Sequence, residues 1–347
     1  IDLESRVTRY DVLAVLDDDI PRAGNVDLPP ESLAQTADVL GWALYADAAI
    51  DATAKLRLMP SLRFDGYLIG TAQRYSVDPR LAARWAVSPH WTAKGYAGVF
   101  HQPPQPEGLD SRFGNPDLGL ERGLHFGLGG EWRPDRLWLF DGEVYYIDRS
   151  ALAVFTNDAV RDPDSGEVKP LNFVNSGTGN TMGFELLVKR EVTRNFFGWL
   201  SYTFSRTRQL RGEDSTYRPS AFDQPHTLNA VASYKTGGSW ELGARFRLSS
   251  GRPVTPVLGA TFDADSGSYD PLRGPVRSDR ERLFHQLDLR AEKTWLFDTW
   301  SLGAYLDIQN VLDIENVEAT QYDYRYRESA AVTGVPLLPT LGVRGQW

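Results

Sequence analysis

The chain has 347 residues, 41% of them hydrophobic and 12% aromatic with ten Trp, a formal net charge of −9 and no cysteine. Those values exclude a disulfide framework and a thiolate metal site, argue against nucleic acid as a partner, and come with no run of about 18 apolar residues that could form a helical membrane span. Mean hydropathy of −0.37 has the value of a water-soluble protein, yet a membrane barrel needs an apolar residue only at every second strand position.

Alternation of apolar and polar residues runs through the chain, and side chains of a strand point to opposite faces in turn. A first strand is expected over residues 8–16, then an acidic, proline-bearing loop over 17–35. Leu40, Trp42, Leu44 and Ala46 next alternate with Gly41, Ala43, Tyr45 and Asp47. Strands follow over 56–65, 81–87, 92–100, 124–132, 138–146 and 182–188, then 196–206, 227–234 and 240–248. Near the end, Leu287, Leu289 and Ala291 interleave with Asp288, Arg290 and Glu292, and Trp300, Leu302, Ala304, Leu306 and Ile308 with Ser301, Gly303, Tyr305, Asp307 and Gln309. The last strand carries Leu341, Val343 and Trp347 on one face and Thr340, Arg344 and Gln346 on the other. Counted by period two, there are about fourteen strands.

The connections alternate in length. Short ones are expected at 50–53, 88–90, 133–135, 191–195, 235–239 and 296–299. Long ones are expected at 17–35, 101–117, 157–170, 211–222, 253–282 and 328–339, with 70–77 a modest member of that set. Every other turn then emerges on the same rim, as in outer-membrane barrels with tight periplasmic turns and long external loops. Trp85, Trp91, Trp132, Trp138, Trp240, Trp295, Trp300 and Trp347 lie within a few residues of a short turn or the C-terminus. Trp42 and Trp199 lie further off. Trp collects at a membrane–water boundary because one end of the ring is apolar and the other donates a hydrogen bond. The eight are therefore expected to form an interface girdle on one rim. Leu341, Val343 and Trp347, ending the chain inside a strand, are expected to act as its C-terminal assembly signal. The expected fold is all-β: one transmembrane antiparallel β-barrel unit over residues 1–347, with outer-membrane lipid and the barrel-assembly machinery as partners.

Chemistry-bearing motifs are few. There is no Gly-x-Ser-x-Gly elbow, His-Glu-x-x-His or phosphate-binding glycine loop. His90, His101, His125, His226 and His285 lack ligand spacing, so no metal, cofactor or enzymatic role is expected. The Asp-rich turns at 162–167 and 263–270 lack the glutamate an EF-hand loop requires and read as solvated turns. Arg57, Arg63, Arg84, Arg245, Arg247, Arg290 and Arg344 fall on the polar face, the lumen of a barrel. There they are expected to pair with Glu241, Asp288 and Glu292 or to face a plug. Of these, Arg245, Arg247 and Arg290 are the candidates for lumen or ligand contact. His101 and Gln102, opening a proline-rich loop, are the others.

Four stretches resemble TonB-dependent outer-membrane receptors. Phe222-Asp-Gln-Pro-His-Thr-Leu-Asn229 is similar to their aromatic, aspartate, glutamine, proline, histidine segment, where a late strand enters the membrane. Asp307-Ile-Gln-Asn-Val-Leu-Asp-Ile-Glu-Asn316 resembles their asparagine, leucine, phenylalanine, aspartate segment of the penultimate strand, with Val311-Leu312 in place of Leu-Phe. The stretches from Val77 to Arg84 and from Gly98 to Pro106 resemble mid-barrel strands of the Oar-like members. The resemblance implies a share of a 22-strand barrel. It also implies an N-terminal plug and TonB box, neither recognisable in this chain, and TonB-powered import of a scarce ligand such as a metal chelate or oligomer. The chain begins at Ile1 without a leader, as expected of a processed chain or a piece of a longer one. A plug-less, porin-like or structural barrel in a secretion or assembly complex is the second reading, and a soluble β-rich domain the third.

Overall fold

A computed structural model of the chain describes residues 2–13, 34–69, 72–109, 114–161, 168–211, 216–265 and 267–347. Fourteen strands form one antiparallel meander. They are β1 (Asp2–Leu13), β2 (Ala34–Asp47), β3 (Leu56–Ile69), β4 (Ala72–Ala86), β5 (Trp91–Gln102), β6 (Glu121–Trp132), β7 (Trp138–Phe155), β8 (Phe173–Arg190), β9 (Phe196–Leu210), β10 (His226–Lys235), β11 (Trp240–Ser249), β12 (Phe284–Leu296), β13 (Ser301–Gln309) and β14 (Leu338–Gln346). Each pairs with the strand before and after it, and β1 and β14 are the edges of the sheet.

Register makes the two faces continuous, because directly paired residues share a face. Leu128 pairs with Val144, Val144 with Phe184, and Phe184 with Phe204, giving an apolar row across four strands. One residue further along, Gly129, Glu143, Glu185 and Thr203 form the matching row on the other face. Among the described residues no protein layer lies over the apolar face: Leu128 is 69% exposed and Val144 58%. A soluble β domain would have to cover such a surface, whereas lipid covers it in a membrane barrel.

The strands run longer than alternation suggests. The first spans Asp2–Leu13 rather than 8–16, and most of the expected loop at 17–35 lies outside the described residues. β7 and β8 have 18 residues each. At ~3.3 Å per residue they reach ~60 Å, well beyond the ~9–11 residues that cross a bilayer. The excess projects from the long-loop rim, and β8 is bulged there between Val174 and Gly179.

Of the expected connection at 70–77, residues 72–77 instead belong to β4, which pairs Ala72 with Ile69 of β3; 70 and 71 lie outside the described residues. This hairpin is the exception to the long connections on its rim. The final external connection is also larger than expected: it occupies 310–337, not 328–339, and contains the hairpin Val317–Tyr322 and Ser329–Thr333. Another hairpin, Val257–Asp263 with Ser268–Arg273, stands in the connection before it.

Candidate functional site

The inner face is a wall of paired charges. On the late strands, Arg245 of β11 bonds the Asp288 carboxylate at 2.9 Å, and Arg247 donates to Gln286 at 2.8 Å. Arg290 reaches Glu292 at 2.9 Å and Asp307 at 3.4 Å, and its guanidinium lies 4.0 Å from the Tyr305 ring centre. Arg344 closes on the same Glu292 at 2.9 Å. Arg245, Asp288, Arg290, Glu292, Asp307 and Arg344, with Lys235 and Glu241, line a concavity of about 660 Å³ on the inner face. Elsewhere on this face Arg84 meets Glu131 and Lys94 meets Asp141, both at 2.7 Å. Oppositely charged partners across strands hold long side chains against the wall. Tyr305 packs the same way: its ring covers Gly342, where an added Cβ would lie 2.2 Å from the ring carbon Cζ.

His101 and Gln102 do not open a loop; they end β5. The β4–β5 ladder stops at Arg80 opposite Gly98, and Asp78 substitutes for the missing partner. Its carboxylate accepts the His101 backbone N–H at 3.1 Å and stands 2.6 Å from the ring Nδ1. Gln102 donates to Glu121 at 3.0 Å. Both side chains are thus engaged in strand ends. The described parts of the connection after them, 103–109 and 114–120, pack back against the inner face of the sheet and include one helical turn, Pro106–Leu109. Leu109 and Leu118 bury themselves with Ile69 of β3, against Tyr67, Ala153 and Phe173. Arg74 of β4 donates to the Leu118 carbonyl at 3.0 Å, fixing the return limb.

Two stretches singled out in the sequence are polar clamps at strand ends. Asp223 is buried where β9–β10 pairing stops, accepts the Thr207 N–H at 2.7 Å, and forms a close ion pair with Arg280 from the external connection. Asn310, fully buried, adopts a left-handed conformation (φ 50°) just after β13. Its amide donates to the Ile314 and Val335 carbonyls, both at 3.0 Å. Asn316 bonds both backbone groups of His285. Composition and alternation carried no sign of these roles, because a lone Asn or Asp beside a turn is an ordinary turn residue.

On the rim of tight turns, Trp91 of β5 and Trp132 of β6 sit opposite one another and stack at 5.7 Å. Phe140 follows at 5.0 Å from Trp132 and 5.9 Å from Trp138. Trp300 stacks on Phe297 at 4.3 Å across the β12–β13 turn. Trp85, Trp240 and Trp295 stand exposed at strand ends on the same rim; Leu341 and Val343 are exposed within the edge strand β14, and Trp347 follows its end. Trp42 belongs to a separate aromatic group with Phe64 and Tyr75. Trp199 pairs with Lys189 and Val231 on the inner face.

Residues 6–311 match the protein family described as TonB dependent receptor-like, beta-barrel. Among solved structures, the ferric-catecholate import receptor Fiu of Escherichia coli K12 superposes with a TM-score of 0.63 at 13% identity, over 90% of this chain and 45% of that one. The pyoverdine receptor FpvA of Pseudomonas aeruginosa gives 0.62 at 16%, over 91% and 43%. The FrpB iron transporter of Neisseria meningitidis gives 0.60 at 16%, over 90% and 46%. At these identities the likeness is one of fold, and the chain spans less than half the length of each. No curated protein matches the chain in sequence.

Proposed function

The chain belongs to the TonB-dependent receptor-like β-barrel family, a family of outer-membrane receptors and transporters, and from that premise we propose that it walls a receptor importing a scarce ligand across the outer membrane. The observation that carries this reading is the asymmetry of the sheet: an uncovered apolar face, a charge-paired inner face, and hairpin-bearing connections gathered on one rim. External hairpins capture the ligand, and the lumen passes it inward. Residues 1–347 act as one unit, the larger part of a 22-strand wall. A plug domain sits against the Arg245, Arg290 and Arg344 side of that wall and couples to TonB. Lipid covers the Leu128–Phe204 row, the tight-turn tryptophans mark the periplasmic boundary, and the barrel-assembly machinery reads Leu341, Val343 and Trp347. The chain supplies no catalytic step: it binds and conducts.

Uptake in cells tests this. Accumulation of radiolabelled ferric enterobactin, ferric citrate and neutral hexasaccharides is compared in cells with and without the natural protein, and with TonB present or inactivated. The reading expects at least one compound whose uptake requires both. Uptake that needs the protein but persists without TonB would replace it with a passive pore.

A further inference from the structure

The two external hairpins meet over the late strands, and the space between them is walled by tyrosine. Val257–Asp263 with Ser268–Arg273 supplies Tyr269; the connection after β13 supplies Tyr322, Tyr324 and Tyr326. Tyr269 meets Tyr324 edge-on at 6.1 Å, Tyr322 and Tyr326 lie 5.8 Å apart, and Phe262 backs Tyr269 at 5.1 Å. The cleft they enclose has a volume of about 580 Å³, inside the roughly 300–1,000 Å³ of small-ligand sites.

The cleft is preorganised. The tip of the second hairpin is tied by Asp323, whose Oδ1 accepts the N–H groups of Arg327 at 2.7 Å and Glu328 at 3.0 Å. The Arg325 guanidinium lies 4.8 Å from the Tyr324 ring and holds it in place, yet Tyr324 stays 69% exposed. Tyrosine offers a large, rigid, amphipathic surface at little entropic cost on binding. The polar groups lining the cleft besides the tyrosines are Ser268, Thr320, Gln321 and Asp323, and no Lys or Arg is among the described residues lining it, Arg325 being engaged with the Tyr324 ring beside it.

From this chemistry we infer that the cleft is a binding subsite for a neutral oligosaccharide. Aromatic faces stack on the C–H faces of a sugar ring, and amide, hydroxyl and carboxylate groups take its hydroxyls. A ferric tris-catecholate is anionic; transferred here, it would lose hydration next to Asp323 and meet only Arg325, which is already engaged with the Tyr324 ring and lies beside Asp323. The inference deepens the uptake reading, on which it rests, by giving the class of cargo.

Saturation-transfer NMR on the natural protein, extracted from outer membranes in detergent, tests it with maltohexaose, cellohexaose, laminarihexaose, xylohexaose and ferric enterobactin as probes. Saturation placed on aromatic protons is expected to reach the ring C–H protons of at least one hexasaccharide. Affinity for it is expected to fall tenfold or more in Tyr322→Ala/Tyr324→Ala, with heat-modifiable gel mobility preserved. Should that double variant not fold, Tyr324→Phe is expected to keep binding and Tyr324→Leu to lose it. No hexasaccharide bound, or binding indifferent to these tyrosines, overturns the inference. If ferric enterobactin alone binds and is imported with TonB, the cleft assignment fails while the uptake reading stands. Tyrosine-dependent sugar binding without TonB-dependent uptake reverses that outcome.

Discussion

The backbone N–H of Asn310 donates to the Asp288 carboxylate at 3.0 Å, tying the end of β13 to β12 from inside the wall. Asn310 is 0% exposed and Asp288 8%. The same carboxylate accepts Gln286 at 2.6 Å and Arg245 at 3.0 Å, so one acidic group organises three donors. Removing it takes the acceptor from all three. Asp288→Ala is expected to destabilise the protein by about 1–3 kcal/mol, the cost of leaving the buried Asn310 and Gln286 donors without their acceptor, while half-exposed Arg245 turns to water. Asp288→Asn, which still accepts, is expected to lose less. Urea midpoints in detergent read the difference.

Asp223 ties the external connection to the end of β9, through Arg280 on one side and the Thr207 N–H on the other. Its carboxylate holds Arg280, which also donates to the Gly251 carbonyl at 3.0 Å. Asp223→Ala is expected to raise hydrogen exchange throughout 250–283 and at Thr207, whose N–H loses its acceptor, while leaving the paired parts of β9 and β10, up to Phe204 opposite His226, protected. Equal loosening of wall and connection would show that Asp223 serves the strands instead.

The turn at Asp323 carries a pH dependence of known sign. The Glu328 N–H, ahead of those of Arg327 and Arg325, holds its carboxyl below the usual carboxylate range, against a smaller opposing effect of burial. A depressed folded value means that the stabilisation is complete above the unfolded value of about 3.9 and disappears as pH falls through the folded one. Protection of the Glu328 amide is expected to be flat from about pH 5 to 7, apart from intrinsic exchange, and to decline in acid.

The tight-turn tryptophans are expected to report the membrane boundary. In bilayers of brominated lipid, fluorescence should be quenched more by bromine close to the headgroups than by bromine at the chain ends. Substituting Trp91 and Trp132 together should remove a large part of the headgroup signal, since the two stack at 5.7 Å on that rim. Dominant quenching from the chain ends would place these residues in the bilayer centre.

Most of the wall was legible because every crossing segment has lipid on one face and lumen on the other, so period two is enforced. It faded where β7 and β8 leave the membrane, since water lies on both sides of the segments near Phe155 and Phe173 and alternation is no longer required. The Gly70-Thr71 pair and Pro79 made 70–77 look like a loop. In the structure Pro60 and Pro79 each lie just past the end of one ladder, Asp47 with Ser61 and Arg80 with Gly98, so their missing N–H groups disrupt neither. The clamps of Asp78, Asp223 and Asn310 each depend on at least one partner 16 to 57 residues away, a distance that strand periodicity does not encode. The tyrosine cleft was missed for a related reason: its two sides come from separate hairpins. Its one local sign is the spacing of Tyr322, Tyr324 and Tyr326.

The two-faced wall itself is tested most directly by site-directed spin labelling, which the absence of native cysteine makes clean. Single cysteines at Leu128, Val144, Leu186, Tyr145 and Glu185 are labelled in bilayers, and collision rates are measured with oxygen, which concentrates in lipid, and with a water-soluble nickel chelate. The account predicts high oxygen and low nickel accessibility at Leu128, Val144 and Leu186, and no oxygen preference at Tyr145 and Glu185. Oxygen accessibility that fails to alternate between Val144 and Tyr145 would contradict a barrel wall facing lipid on one side and a lumen on the other.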